Sequence, residues 1–260
     1  MANIYSYENI VVKAISFSAD YRELNEVSLH LSMKHDNIVE AYGLMSENEL
    51  KSKRMHGSLG LMLEKYEHSL WDHVPSDSKT MMLQVAYGLK YMHDNNLVHC
   101  DLSPKNVLIK NNKAAITDFE LSTFVGLKHL ANWVTVKNSH LPVHDLKESP
   151  IVRKSYDIWS LALLFTYIYE YKGVYEKLMH RNYAEHVTIL TTNGELNDLL
   201  KQMLKYNASK RININGVINH KFFDDIRGKI DYLSGNCIEK CMGNSHIFIK
   251  SRMCESILQA

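Results

Sequence analysis

Glycine is scarce in this chain: 11 among 260 residues is about 4%, against an average near ~7%, and the first is Gly43. A glycine turn that cradles phosphate on backbone N–H groups is therefore excluded from everything ahead of Gly43. Proline is rarer still, limited to Pro75, Pro104, Pro142 and Pro150, so no proline-rich linker separates beads on a string. Cysteine is limited to Cys100, Cys237, Cys241 and Cys254. With no signal-peptide pattern at the N-terminus, these are expected as free thiols in a reducing, intracellular compartment, cytoplasmic with the nucleus open. Cys237 and Cys241 with His246 and Cys254 fit no common zinc-finger spacing. The longest apolar stretch, Ile158 to Tyr169, holds Ser160 and Thr166 and is shorter than the roughly 20 residues a bilayer span needs, so it reads as a buried core helix and no membrane contact is expected. Long blocks of one charge are also missing. The 30 basic and 29 acidic residues leave a net charge of +1, and only Lys51, Lys53 and Arg54 cluster, which argues against a nucleic-acid surface. What is present is a hydrophobic share of 45% and a charged share of 23%, enough for a globular protein with a core.

Along the chain, the β-branched run Glu8 to Ile15 reads as a strand ending near Lys13. Tyr21 to Met33 carries Leu24, Val27 and Leu31 at helical spacing. Strands are expected again at residues 38–43 and 59–63. Beyond Tyr66 the pattern turns helical, with Met82, Val85, Ala86, Leu89 and Met92 on one face after Ser78 as an N-cap. A β-rich loop region from Leu97 to Phe119 and an irregular stretch to Ser155 follow, and helices dominate from Tyr156 to Phe223. This predicts an α+β, two-lobed chain whose small β-rich N-terminal lobe (residues 8–65) precedes a larger helical lobe (66–226), with residues 227–260 as a tail.

The densest signal is Val98-His99-Cys100-Asp101-Leu102-Ser103-Pro104-Lys105-Asn106-Val107-Leu108, followed by Ile116-Thr117-Asp118-Phe119-Glu120. It resembles the eukaryotic protein kinases, whose catalytic loop reads H-R-D-L-x-x-x-x-N and whose metal motif reads D-F-G. Val11-Val12-Lys13 looks like the strand that carries their lysine, and Glu26 looks like its helix partner. His35-Asp36-Asn37-Ile38-Val39 is similar to their H-P-N-I-V. Leu61 to Tyr66 resembles the hinge, Asp157-Ile158-Trp159-Ser160-Leu161 the start of their buried helix, and residues 206–223 the last helices of the Ser/Thr type. The spacing from Lys13 to Glu26 and the run Glu40 to Gly43 resemble the tyrosine-kinase-like and mixed-lineage groups. A chain with a short N-terminal lobe also suits a virus-encoded or duplicated copy.

The resemblance implies a protein-kinase-like fold, ATP and Mg²⁺ as cofactors, and a protein substrate. Lys13 would contact the phosphates while pairing with Glu26, and Asp101 would be the catalytic base. Asn106 and Asp118 would hold Mg²⁺, and Leu108, Val11 and the backbone of Glu64 to Tyr66 would receive adenine. Asp157 would bind the catalytic-loop backbone, and Arg211 would pair with an acid, for which Asp145 is the candidate. The pattern departs at four places. The glycine-rich lid and its strand have no counterpart ahead of Lys13. Cys100 replaces the arginine that receives an activation-loop phosphate, so phosphorylation at Ser122, Thr123, Thr135 or Ser139 is expected to switch little. Glu120 replaces the motif's glycine. Ser103 replaces a lysine, leaving Lys105 to reach the γ-phosphate. The leading expectation is a Ser/Thr protein kinase. The alternatives are a pseudokinase or decoy that docks on another kinase or its substrate, and an aminoglycoside-type phosphotransferase, to which D-F-E is similar.

Overall fold

Strand β2 (Ile10–Ile15) sets the N-terminal architecture, because its alternating side chains feed two separate apolar layers. The computed structural model describes residues 3–16, 21–127, 145, 151–170 and 193–228. β2 pairs antiparallel on one side with β1 (Asn3–Tyr7) and on the other with β4 (Leu59–Glu64). β4 in turn pairs with β3 (Ala41–Ser46), giving the sheet order β1-β2-β4-β3. Val12 packs with Met45, Leu50 and Met55 beneath helix α2 (Glu47–Ser52). Ile15, on the opposite face, packs with Leu61, Leu63, Val39 and Val27 of helix α1 (Tyr21–Ser32). Lys13 and Val11 share the α1 face by the two-residue period.

Several expectations change here. The strand placed at Glu8 to Ile15 is two strands: β1 precedes a turn at Glu8 and Asn9, with Glu8 at φ 45, and β2 follows it. Helix α1 keeps nearly its expected span, but of its expected apolar stripe only Val27 is buried. Leu24 and Leu31 are 48% and 41% exposed, while Glu26 is 1% exposed and Val27, Leu29, His30 and Met33 are buried. The inward face is chosen by Glu26 and His30, whose partners lie inside. The strand expected over residues 38–43 begins at Ala41, and Ile38 instead forms a parallel bridge to Ile116. Helix α2 was not anticipated, although Ser46 and Glu49 form a reciprocal capping box at its start.

Helix α3 (Ser78–Asp94) buries Met82, Val85, Ala86, Leu89 and Met92 as expected, but its N-cap is Asp77, which accepts from the Thr80 N–H, and not Ser78. Short strands flank α3: β5 (His68–Ser69), which precedes it, makes one small sheet with β7 (Val107–Lys110) and β8 (Lys113–Ile116), and β6 (Leu97–Val98) pairs with β9 (Thr123–Phe124). Helix α4 (Lys154–Glu170) is the buried helix read from the apolar stretch. Helices α5 (Gly194–Met203) and α6 (Ile214–Ile218) complete the helical part, with α3 packing on β8, α4 and α6. The chain divides after Asp225, and the described elements all belong to the unit Met1–Asp225. Thr135, Ser139, Cys237, Cys241, His246 and Cys254 lie outside the described residues. Among the described residues no helix is long and apolar enough to cross a membrane.

Asn37, between α1 and β3, is bonded to β8. Its carbonyl accepts from Ile116 N at 2.9 Å, and its Nδ2 donates to Ala114 O at 2.8 Å. Gly88 of α3 lies against this joint, and a Cβ on it would come within 2.5 Å of the Asn37 carbonyl oxygen. Helix propensity alone favours alanine by about 1 kcal/mol, but a clash with immobile backbone costs about 1–3 kcal/mol and wins. Gly88→Ala is expected to lower the denaturant midpoint at unchanged slope. A midpoint at or above that of the unmodified chain would contradict the close approach.

Candidate active site

Lys13 reaches from the middle of β2 toward α1, and its Nζ lies 2.7 Å from Glu26 Oε2 across a sequence separation of 13 residues. The same ammonium stands 3.1 Å from Glu120 Oε1 and 3.4 Å from Asp118 Oδ1. Burial works against the ammonium, yet Asp118, Glu26 and Glu120 outweigh it and hold the lysine well above its ordinary pKa. Burial also pushes the Glu26 carboxyl up to about 7, against the pull of Lys13, with Asp118 and Glu120 adding like-charge repulsion.

The second group sits on the loop between β6 and β7. Asn106, in the 3-10 turn Pro104–Asn106, donates through Nδ2 to Asp101 O at 2.8 Å and to Asp101 Oδ2 at 3.0 Å. That bond orients the Asp101 carboxylate and leaves the amide oxygen of Asn106 as the group it can offer a cation. Burial raises Asp101 to about 6, and the negative charges of Asp118 and Glu120 push the same way. His99 is a packing residue: its Nδ1 accepts from Asp101 N at 3.2 Å, which assigns Nε2–H to the Thr117 carbonyl at 3.1 Å.

Asp157 of α4 fastens this loop from beneath. Its fully buried carboxylate accepts from His99 N at 2.8 Å and Cys100 N at 3.0 Å, and its Oδ2 lies 2.9 Å from His93 Nε2. Cys100 has φ 64 and Asp118 has φ 66, so both non-glycine residues occupy the left-handed region beside the site. Such strain costs on the order of 1–3 kcal/mol and persists only where neighbours over-determine it.

The remaining residues named from sequence divide clearly. Val11 lies opposite Leu63 in the β2–β4 register, and Leu108 packs on the cluster that contains Leu63, so the three line one apolar layer. Tyr66 joins that layer, and Glu64 bonds Lys110 at 2.8 Å. Lys105 is not drawn into the carboxylate cluster: its exposed side chain carries Nζ over the Trp71 ring, 5.1 Å from the centroid. Arg211 makes a two-pronged pair with Asp145, at 2.5 Å and 3.1 Å, where no A-P-E motif marked the acid. Ser122 is buried, with its hydroxyl on His99 O at 3.1 Å, so it is a structural anchor and not an accessible acceptor. Sequence reasoning missed Asn25, whose Nδ2 donates to Ser122 O at 2.9 Å, and His30, whose ring meets Phe119 edge-on at 4.7 Å. Neither carries a local signal, because each is defined by a partner distant in sequence.

Among the described residues, oxygens of Glu26, Asp118 and Glu120 lie within 4.8 Å of one another. These three carboxylates offer oxygen alone, the donor type that suits a hard cation such as Mg²⁺. A family model described as "Protein kinase domain" matches residues 3–223. The chain belongs to the protein kinase domain family. Curated relatives of this kinase domain include Serine/threonine-protein kinase PLK4 of Nematostella vectensis, 28% identical over 220 residues, covering 77% of this chain and 21% of that protein. The PLK4 proteins of Aedes aegypti and Xenopus laevis are 25% and 23% identical over 232 and 252 residues, covering 80% and 88% of this chain and 29% and 25% of theirs. The kinase domain thus spans less than a third of these relatives' lengths.

Asp157→Ala is expected to cost about 3 kcal/mol or more, because it strands two buried backbone N–H groups at about 1–3 kcal/mol each. Chemical denaturation checks this. A loss under about 1 kcal/mol would mean that the loop is held by something else.

Proposed function

We propose that this kinase domain transfers the γ-phosphoryl group of ATP to serine or threonine of a protein substrate inside the cell. The observation that carries the reading is the Lys13–Glu26 pair at 2.7 Å with Asp118 on the same ammonium, beside a separate Asp101–Asn106 pair. Phosphoryl transfer asks a protein mainly to position and to stabilise charge, and these groups are arranged for that.

In this reading the layer of Val11, Leu63 and Leu108 takes the adenine ring, and backbone groups of Glu64 to Tyr66 fix its edge. Lys13 orients the phosphates while Glu26 keeps the ammonium in place. Asp118 and the amide oxygen of Asn106 would hold Mg²⁺, which when bound offsets phosphate charge. Asp101 orients the substrate hydroxyl and accepts its proton, and the Asn106 bond fixes which carboxylate oxygen faces it. Lys105 would serve the γ-phosphate by leaving the Trp71 indole. The Ser/Thr choice is supported by the PLK4 relatives, which are serine/threonine-protein kinases by name. A non-catalytic, docking reading is favoured by the capture of Lys13 by Glu120, beside the missing glycine-rich lid.

Transfer of label from γ-labelled ATP to a generic protein substrate tests the proposal. Asp101→Asn is expected to lower kcat by about 10²–10⁴-fold with little change in KM for ATP. Asp118→Asn is expected to abolish Mg²⁺-dependent thermal stabilisation by ATP. Because Asp101 acts ionised and its carboxyl sits at about 6, kcat should fall as pH drops through about 6. No transfer and no nucleotide binding at millimolar ATP would refute catalysis, and transfer to a small amine alone would reassign the substrate.

A further inference from the structure

A lysine ammonium has three N–H donors, and here each has a carboxylate facing it: Glu26 at 2.7 Å, Glu120 at 3.1 Å and Asp118 at 3.4 Å. Glu26 is sealed inside, whereas the Glu120 side chain is 34% exposed and can swing away. Glu120 nevertheless does not sit there by chance. It occupies the first corner of a turn closed by Ser122 N donating to Phe119 O at 3.1 Å. Phe119 and Ser122 are both fully buried. Ser122 is held further by its bond to His99 O and by the Asn25 amide on its carbonyl. A turn pinned at both ends aims the carboxylate at Lys13, where the glycine of the D-F-G motif has no side chain to offer.

We propose that Glu120 is a positioning residue that holds the Lys13 ammonium in the place of a phosphate, so that nucleotide binding depends on a divalent cation. This rests on the phosphoryl-transfer reading, in which Lys13 is the phosphate contact. A carboxylate and a phosphate oxygen satisfy the same ammonium donor, so the polyphosphate must displace Glu120 to reach it. It must also approach one ammonium surrounded by carboxylates, a site of net negative charge that repels an unneutralised triphosphate. A divalent cation cancels that charge, and Glu120 is then free to turn outward.

The test titrates the full chain, E120Q and E120G with ATP, inorganic tripolyphosphate and adenosine, in EDTA and in Mg²⁺. In EDTA both variants are expected to bind ATP and tripolyphosphate about tenfold tighter than the unmodified chain, the scale of one partly exposed charge contact. Adenosine affinity stays unchanged, which a merely structural effect on the turn would not ensure, and the gain shrinks in Mg²⁺. If the unmodified chain binds ATP with Mg²⁺ and the variants show no gain in EDTA, the role of Glu120 is overturned while the phosphoryl-transfer reading stands. If only the variants bind ATP, even in Mg²⁺, release of Glu120 by the cation is overturned, and transfer by the unmodified chain is refuted with it. If none binds in either condition, both fall.

Discussion

The buried ammonium of Lys13 is the interaction on which the rest of the site depends. Glu26 lies at the centre of the inward face of α1, almost wholly removed from water, and a carboxylate there is tolerable only with a cation against it. Removing one partner of such a pair costs about 3–5 kcal/mol, because the other charge is left buried and alone. The pair therefore fixes the orientation of α1 on the sheet. Asn25, one residue earlier, ties the same helix turn to Ser122 beyond the Asp118 loop. Helix, strand and loop are thus held around one nitrogen atom.

The lower half of the site uses a different device. Asp157 reaches up from α4 and gathers the backbone of His99 and Cys100, which allows Cys100 to hold a left-handed conformation with its thiol buried. Burial, with Asp157 and Asp101 close by, raises the Cys100 thiol well above its usual range, so it acts as packing and not as a nucleophile. An arginine at this place would offer a charge to an activation-loop phosphate, and a buried neutral thiol offers none. The Arg211–Asp145 pair, with the guanidinium also over the Trp159 ring at 4.9 Å, ties Asp145 to the helical part.

Most of the residues that the structure brings together were legible in the sequence, and for a physical reason. Lys13, Glu26, Asp101, Asn106, Asp118, Asp157 and Arg211 are charged or polar residues that find their partners inside the fold, at a spacing dictated by the elements between them. The same logic misleads where a pattern assumes that buried means apolar. Leu24 and Leu31 were read as the inward stripe of α1, but the helix turns Glu26 and His30 inward because Lys13 and the Val39 carbonyl satisfy them. Strand β1 escaped because it is an edge strand with mostly exposed side chains, so no alternation marks it. The cap of α3 was misplaced by one residue, from Asp77 to Ser78, since both types can cap and only the backbone decides. Asn25 and the Glu120–Lys13 contact are tertiary facts, joined across 97 and 107 residues, and no local window contains them.

The central claim is that Lys13, held by Glu26, is the cation that receives the nucleotide phosphates. A crystal structure of the chain grown with Mg²⁺ and a non-hydrolysable ATP analogue tests it most directly. The account predicts Lys13 Nζ within hydrogen-bonding distance, about 3 Å, of an α- or β-phosphate oxygen, still paired with Glu26, with Glu120 turned away. Phosphates bound elsewhere while Lys13 remains on Glu120, or no nucleotide at saturating concentration, would contradict it.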